Sequence, residues 1–498
     1  MTVQGYDPRT GEPVGDGVAE TTAEQLESVL AGAAAAFPVF RSTPPGVRAQ
    51  FLTLLADRLD AAAGELVPLA VAESGLPVPR LTGEVARTSA QLRLFAQVIT
   101  EGDYLEAIIE EADPGATPPR PPLRRWLEPV GPVLVYAASN FPFAFSVLGG
   151  DTASALAAGA PVVVKAHGSH PALSAATAEL AARAVADAGL PAGVFGIVFG
   201  DQQGVQALRD RRIKASGFTG STAGGRFLFD VAAARPDPIP FFGELGSINP
   251  AVVTPAAVAA RPAELVSGFV GSFTLGTGQF CTKPGLLFLP AGHGLGPALS
   301  AAVEAAAAGP LLNARIAGQL EKGLAGLAEH PGVSETATGE QAPAQGSWAS
   351  PRLFTTTTAE LRADPDGLTA EHFGPAALIV EYTDPADLLA ALGAVEGSLT
   401  ATVQAEPGDD FPLSELLEVL GERAGRVIYN GWPTGVAVSW AMNHGGPWPS
   451  TTNSAHTSVG ATAIRRWLRP VSYQSVPDGL LPPALQEANP WGIPQRRP

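Results

Sequence analysis

The pattern of apolar and polar positions divides the chain into a helical start and a longer stretch of alternating strands and helices. Thr21-Thr22-Ala23-Glu24-Gln25 offers a capping box ahead of an Ala-rich run to Phe37. Residues 45–59 place Val47, Phe51, Leu54, Leu55 and Leu59 at helical spacing, and residues 87–99 repeat the pattern with Leu92, Phe95 and Ile99. From about Gly131, short apolar runs at 133–136, 161–165, 194–199 and 215–220 predict buried strands. Helices are predicted after the turn Ser139-Asn140-Phe141-Pro142, over 171–188 and from Ser221. Such alternation with short turns predicts a parallel sheet wrapped by helices. A second α/β block is predicted from near Gly246. Its strands are 249–253, 286–289, 378–381 and 426–430, with helix over most of 255–274 and further helices to about Ala328. Residues 341–350 read as a polar connection, and the Pro-rich tail from Pro477 as a surface segment.

One octapeptide occurs twice in similar form. Leu123-Arg124-Arg125-Trp126-Leu127-Glu128-Pro129-Val130 is echoed by Ile464-Arg465-Arg466-Trp467-Leu468-Arg469-Pro470-Val471. Trp is rare, so the echo predicts a shared structural job, as paired strands or strands of one extra sheet. The two Arg beside an apolar face would suit an intersubunit contact.

Composition narrows the class. A chain of 498 residues fits two or three domains, and 46% apolar content excludes general disorder. Asp and Glu outnumber Lys and Arg by 48 to 31, which argues against a nucleic-acid partner or an anionic membrane surface. The apolar stretch 130–150 is interrupted by Pro132, Asn140 and Pro142, and 427–464 is uncharged but polar, so neither reads as a membrane span. With a polar start from Met1 to Thr10, a soluble cytoplasmic protein is expected. The single cysteine, Cys281, excludes an internal disulfide framework and a Cys-built zinc site. His167 and His170 lack a nearby carboxylate and read as loop residues, so no metal is expected. No P-loop, His-Glu-x-x-His or Gly-x-Ser-x-Gly motif is present.

The informative segments are Ser139-Asn140-Phe141-Pro142, Phe218-Thr219-Gly220-Ser221 with Gly225, Phe242-Gly243-Glu244-Leu245-Gly246, Gly276-Thr277-Gly278-Gln279-Phe280-Cys281 and Glu371-His372-Phe373-Gly374-Pro375. Each alone has a bland reading: a lone Cys is usually a small buried hydrophobe, a Gly-Ser at a helix start a plain cap. Together, in this order and spacing, they resemble the NAD(P)-dependent aldehyde dehydrogenase superfamily over nearly the whole chain. The resemblance implies an α/β fold with a Rossmann-like cofactor domain (1–112 and 131–245), an α/β catalytic domain (246–445) and a small oligomerisation sheet (113–130 and 460–498). It also implies a homodimer or homotetramer.

The resemblance further implies that Cys281 attacks the aldehyde, that Asn140 and the Cys281 N–H hold the oxyanion, and that Glu244 activates the water that hydrolyses the thioester. Lys165, Gly168, Gly220, Ser221, Gly225, Glu371 and Phe373 would serve the cofactor, NADP or NAD. Many NAD-preferring members have Glu three residues after the lysine; here Gly168 leaves room for a 2′-phosphate. Arg209, Arg211 or Arg212 would supply positive charge there. Local strings such as Gly149-Gly150-Asp151-Thr152-Ala153-Ser154 and Lys165-Ala166-His167 resemble the subgroup acting on 2-oxoglutarate semialdehyde (2,5-dioxopentanoate, or 2,5-dioxovalerate). Its carboxylate calls for a cation, and Arg87 is the expected one, with Phe141 and Phe280 lining the tunnel. The alternatives are a broad fatty or aromatic aldehyde dehydrogenase, a coenzyme-A-acylating variant, or a catalytically inactive nucleotide-binding oligomer. Retention of Cys281, Glu244 and Asn140 together disfavours the last.

Overall fold

The run Val133–Tyr136 becomes the middle strand of a five-stranded, all-parallel sheet in the computed structural model, which describes residues 1–498. Its strands lie in the order Phe195–Val198, Val162–Lys165, Val133–Tyr136, Ala215–Thr219, Phe241–Glu244. The chain moves outward to one side of the first strand and then to the other. That reversal opens a crevice at the carboxyl ends of Val133–Tyr136 and Ala215–Thr219, the usual ligand site of an open α/β sheet. The strands are apolar on both faces because helices cover both. Helices Ala23–Arg41, Pro45–Ala61 and Val78–Glu101 share this core: Phe40, Leu52 and Phe95 are buried in one cluster with Val162 and Trp467. The capping box forms as expected, with Thr22 accepting from the Gln25 N–H and Gln25 accepting from the Thr22 N–H.

A second sheet of seven strands runs Ser334–Thr338, Arg352–Thr357, Ala376–Tyr382, Leu286–Pro290, Pro250–Val253, Ser398–Gln404, Ala424–Tyr429. All neighbours are parallel except the first pair. The fold is thus α/β throughout its two large sheets. A four-stranded sheet has the order Leu468–Gln474, Leu123–Pro129, Ala107–Glu110, Gln495–Arg496. No helix is long and apolar enough to cross a membrane.

Several expectations are corrected. The helical start is preceded by an antiparallel hairpin, Thr2–Tyr6 with Pro13–Ala19. Strands Arg352–Thr357 and Ser398–Gln404 escaped the hydrophobic pattern because they are rich in Thr, of which Thr356, Thr400 and Thr402 are buried; Thr400 Oγ1 donates to Asn249 Oδ1 at 3.1 Å, while Thr402 Oγ1 has no partner. The tail is not merely superficial, since Leu481, Leu485 and Ile493 are buried and Gln495–Arg496 completes the small sheet.

The octapeptide echo does bring neighbours together, with Leu468 opposite Pro129 and Val471 opposite Trp126. Yet the second Arg-Arg-Trp is not strand but the end of a 3-10 turn, Ala461–Trp467. Arg466 points inward rather than toward a partner subunit: its Nη2 donates to Asp151 Oδ1 at 2.7 Å, and the Trp467 indole N–H donates to Ser154 Oγ at 2.8 Å. Removing one member of a buried ion pair leaves the other charge uncompensated. Asp151→Ala is therefore expected to destabilise the protein by about 3 kcal/mol in denaturant unfolding, whereas the exposed Arg465→Ala should change it by less than about 0.5 kcal/mol.

Candidate active site

Chain topology delivers four segments to one place. Asn140 follows the strand Val133–Tyr136, Glu244 ends the strand Phe241–Glu244, Cys281 lies on the connection before Leu286–Pro290, and Glu371 and Phe373 precede Ala376–Tyr382. The Cys281 connection is fixed from below by Asn249, whose Nδ2 donates to the carbonyls of Cys281 at 2.8 Å and Lys283 at 2.9 Å. It is fixed from the side by the close backbone approach of Gly278 to Gly374: a Cβ on Gly278 would sit 2.1 Å from the Gly374 carbonyl oxygen. Gly278 also has a φ of +65°, so no other residue fits there. The Gly-Gln-x-Cys and Glu-x-Phe-Gly-Pro segments thus carry glycine partly because they touch one another.

Helix Val78–Glu101 grips the Asn140 turn. Arg80 Nη2 donates to the Asn140 carbonyl at 2.7 Å, and Glu84 Oε1 accepts from the N–H groups of Phe143 at 2.8 Å and Ala144 at 3.0 Å. The Asn140 side chain is buried, and its Nδ2 donates to Gln279 O at 3.1 Å, which leaves one amide hydrogen free. The Cys281 N–H has no acceptor within the protein. Asn140, Cys281, Glu371 and Phe373 line one cavity of about 120 Å³, together with Gly220 and Ser221.

Cys281 and Glu244 flank a residue that the sequence did not single out. His444 Nε2 lies 3.4 Å from Cys281 Sγ and 3.0 Å from Glu244 Oε1. Ser458 Oγ donates to the other carboxylate oxygen at 2.6 Å. Burial by itself would raise the Glu244 carboxyl, but His444 and Ser458 hold it below the usual carboxylate range, so it is ionised at neutral pH. Burial pushes the Cys281 thiol well up, and the Glu244 charge adds to it. The resting site therefore holds a protonated thiol beside an ionised carboxylate. Glu371 is raised by burial and Lys283 lowered by burial, each opposed by the other's charge.

The outer part of the site is aromatic and cationic. Phe141 and Phe280 meet edge to face with centroids 5.3 Å apart. Arg80 lies 5.0 Å over Phe141 and 4.8 Å over Phe280, and Arg87 lies 5.3 Å over Phe145. Arg87 faces inward as expected, and its field reaches Cys281 and Glu244. Each of Arg80 and Arg87 keeps a buried Nη1 without any partner. Arg426 also acts on Cys281 and is bonded only to the carbonyls of Gly435 and Pro433. Arg80 and Arg426 were missed; Arg80 was legible, since it falls seven residues before Arg87 on the same helix face.

A second cavity of about 650 Å³ opens at the carboxyl ends of the five-stranded sheet. Lys165, Gly168, Gly220 and Ser221 line it, with Asp201 ion-paired to Lys165. Ser221 caps the helix Thr222–Ala233, whose free N–H groups face the groove. A Cβ on Gly168 would meet nothing nearer than Val3 at 3.9 Å, so the groove is open there. Gly225 does not line the groove, as Gly224 does. Instead it lets the helix approach Leu245, whose Cδ2 would lie 2.0 Å from a Cβ. Nor do Arg209, Arg211 or Arg212 reach the groove: Arg211 pairs with Asp237, Arg212 pairs with Glu27 and Asp210, and Arg209 is exposed elsewhere. The cation that lines both cavities is Arg315.

Comparison with known proteins matches this arrangement. The aldehyde dehydrogenase family model covers residues 1–469. The chain is 47% identical to alpha-ketoglutaric semialdehyde dehydrogenase 2 of Azospirillum brasilense, over 100% of this chain and 95% of the relative. It is 41% identical to the alpha-ketoglutaric semialdehyde dehydrogenase of Acinetobacter baylyi, over 99% and 94%. The structure of an aldehyde dehydrogenase from Bacillus cereus in complex with NAD+ has the same fold, with a TM-score of 0.80 at 22% identity over 95% of this chain and 93% of that one. A cysteine and a glutamate brought together at the mouth of a parallel-sheet crevice, and a family match spanning both sheets, have one reading: the chain belongs to the aldehyde dehydrogenase family.

Proposed function

We propose that this chain oxidises 2-oxoglutarate semialdehyde to 2-oxoglutarate with NAD(P), through a thioester on Cys281. The observation that carries the substrate is the pair Arg80 and Arg87, stacked on the tunnel aromatics beside Cys281 without an acidic partner of their own beyond the carboxyl of Glu84, which is turned to backbone N–H groups. In a protein of net charge −17, buried arginines without an ion-pair partner near Cys281 fit an anionic substrate. The substrate has an aldehyde at one end and a carboxylate next to a ketone at the other. The two relatives above 40% identity bear the matching name.

An aldehyde carbon releases hydride only after it becomes tetrahedral. The Cys281 thiolate supplies that bond, and the carbonyl electron pair moves to oxygen. The free amide hydrogen of Asn140 and the unpaired N–H of Cys281 are then the donors to the oxyanion; each such donor is worth roughly 2.7–4 kcal/mol of barrier. Bound NAD(P), held by Lys165, Ser221, Glu371 and Phe373, would supply the hydride acceptor, and Cys281 would then carry the acyl group as a thioester. Ionised Glu244 takes a proton from water, the hydroxyl oxygen bonds to the acyl carbon, the C–S bond breaks, and the thiolate is restored. The groove fits a dinucleotide: a helix N-terminus for the pyrophosphate, Lys165 for the ribose, and Glu371 and Phe373 beside Cys281 for the nicotinamide end.

The 1–112 and 131–245 segments act as the cofactor domain, except for Ala107–Glu110, which pairs into the small sheet; 246–445 acts as the catalytic domain, and 113–130 with 460–498 as the oligomerisation part of a cytoplasmic homodimer or homotetramer. The exposed edge strand Leu468–Gln474 supports the last point, because an unpaired edge is a template for strand pairing.

Two measurements test the reading. Arg87→Ala should lower kcat/KM for 2-oxoglutarate semialdehyde by about 10- to 100-fold, as expected for a lost charge-assisted bond. It should change hexanal turnover by less than about threefold. Equal losses on both aldehydes would favour the broad-specificity alternative. Open space at Gly168, with Lys165 and Arg315 nearby, supports acceptance of NADP. Gly168→Glu should then cut kcat/KM for NADP by more than about tenfold through like-charge repulsion, with little effect on NAD; an equal fall with both dinucleotides would contradict it.

A further inference from the structure

His444 enters the site from the polar, uncharged stretch near the end of the chain, and its geometry is specific. One ring nitrogen, Nε2, contacts both Glu244 Oε1 and Cys281 Sγ, whereas the other, Nδ1, is buried and has no partner. The backbone on both sides is fixed: the His444 N–H donates to Thr457 Oγ1 at 2.8 Å, and its carbonyl accepts from the Ser458 N–H at 2.8 Å. The residue is 1% exposed. The ring therefore cannot swing away to solvent.

The protonation state follows from these contacts. A lone pair on Nε2 would face the lone pairs of an ionised carboxylate at 3.0 Å, so Nε2 carries the hydrogen. A second proton on Nδ1 would leave a buried N–H without an acceptor. At Nε2 the ring is thus a donor rather than a base. Its hydrogen lies between two groups that compete for one negative charge, since Sγ, Nε2 and a Glu244 oxygen fall within 4.8 Å of each other.

We propose that His444 is a positioning residue whose Nε2–H follows the negative charge of the site, bonded to the Glu244 carboxylate in the resting thiol state and to the Cys281 thiolate once the thiol proton has passed to Glu244. In that step the S–H bond breaks and an O–H bond forms on Glu244, while His444 keeps one proton on Nε2 throughout. The thiolate gains a charge-assisted hydrogen bond in place of the one the carboxylate gives up, so neither anion stands unpaired in the buried site. Ser458 holds the second carboxylate oxygen and keeps Glu244 facing the ring. The other charged groups facing this cluster are Arg87 from helix Val78–Glu101, Arg426 from strand Ala424–Tyr429, Glu371 from the opposite loop, and His456 and Arg466 behind Glu244. None of them contacts both anions.

The inference rests on Cys281 as nucleophile, but its test does not require turnover. The pH dependence of Cys281 alkylation by iodoacetamide is measured on the full-length enzyme without aldehyde. His444→Phe removes the donor, and His444→Gln keeps an N–H of similar reach. With the donor gone, the alkylation midpoint should move up by about one pH unit, which is about tenfold less thiolate near neutral pH. His444→Gln should recover most of the wild-type profile, with NADP binding retained in both variants. A midpoint unchanged in His444→Phe, or moved equally in both variants, would overturn the proposal. Loss of NADP binding together with a folding defect in His444→Phe passes the decision to His444→Gln alone, in which a midpoint raised by a full unit also overturns it. Failure of the wild-type enzyme to turn over 2-oxoglutarate semialdehyde, with the alkylation shifts of the variants as expected, would instead count against the assigned substrate.

Discussion

A thiol and a carboxyl buried within a few ångströms of one another cannot both be anions without help. Coulomb repulsion at such separations is strong wherever water is excluded. In this protein the resting compromise places the charge on Glu244 and the proton on Cys281, because Glu244 has two hydrogen-bond donors and Cys281 shares one of them. Much of the surrounding architecture can be understood as managing that single proton. The arginines at positions 87 and 426 supply positive potential without hydrogen-bonding the carboxylate, so they favour an incoming anion without locking the base in place.

The scaffold makes this possible by assigning each group to a rigid carboxyl end. Asn140 and Glu244 come from strands of one sheet, and Cys281 and the Glu371–Phe373 loop from the connections of the other. The contact between the two sheets is therefore the site itself. Its precision depends on backbone approaches that only glycine allows, at Gly278 against Gly374, and on Asn249, which ties the Cys281 connection to the strand Ser398–Gln404 through its Oδ1. The groove adjoins the cavity of Cys281, with which it shares Gly220, Ser221 and Arg315.

Much of this was legible in the sequence for a physical reason. Asn140 and Glu244 sit at Gly- or Pro-punctuated strand ends and Cys281 in a Gly-rich turn between a helix and an apolar strand run, where local pattern and chemistry coincide. His444 and Ser458 were not legible. They lie in a stretch with neither periodicity nor charge, and they join the site only because the chain folds back against the end of the strand Phe241–Glu244, where Thr451 pairs with Glu244. The Thr-rich strands were hidden for a related reason: Thr356, Thr400 and Thr402 are buried although they read as polar, which a hydrophobicity pattern cannot register. The two Arg-Arg-Trp segments teach the converse lesson. The Arg-Arg-Trp of the two similar octapeptides is strand in one place and the end of a 3-10 turn in the other, because Arg466 is drawn to Asp151 and Trp467 to Ser154.

The account depends most on a covalent bond between one sulfur and the substrate. Rapid acid quenching of the enzyme during turnover of 2-oxoglutarate semialdehyde, followed by peptide mass spectrometry, examines that bond directly. An acyl adduct confined to the peptide containing Cys281, formed only when NAD(P) is present and accumulating in Glu244→Gln, is the predicted result. Steady turnover with that peptide unmodified at every quench time in both enzymes, or an adduct on a different residue, would contradict it.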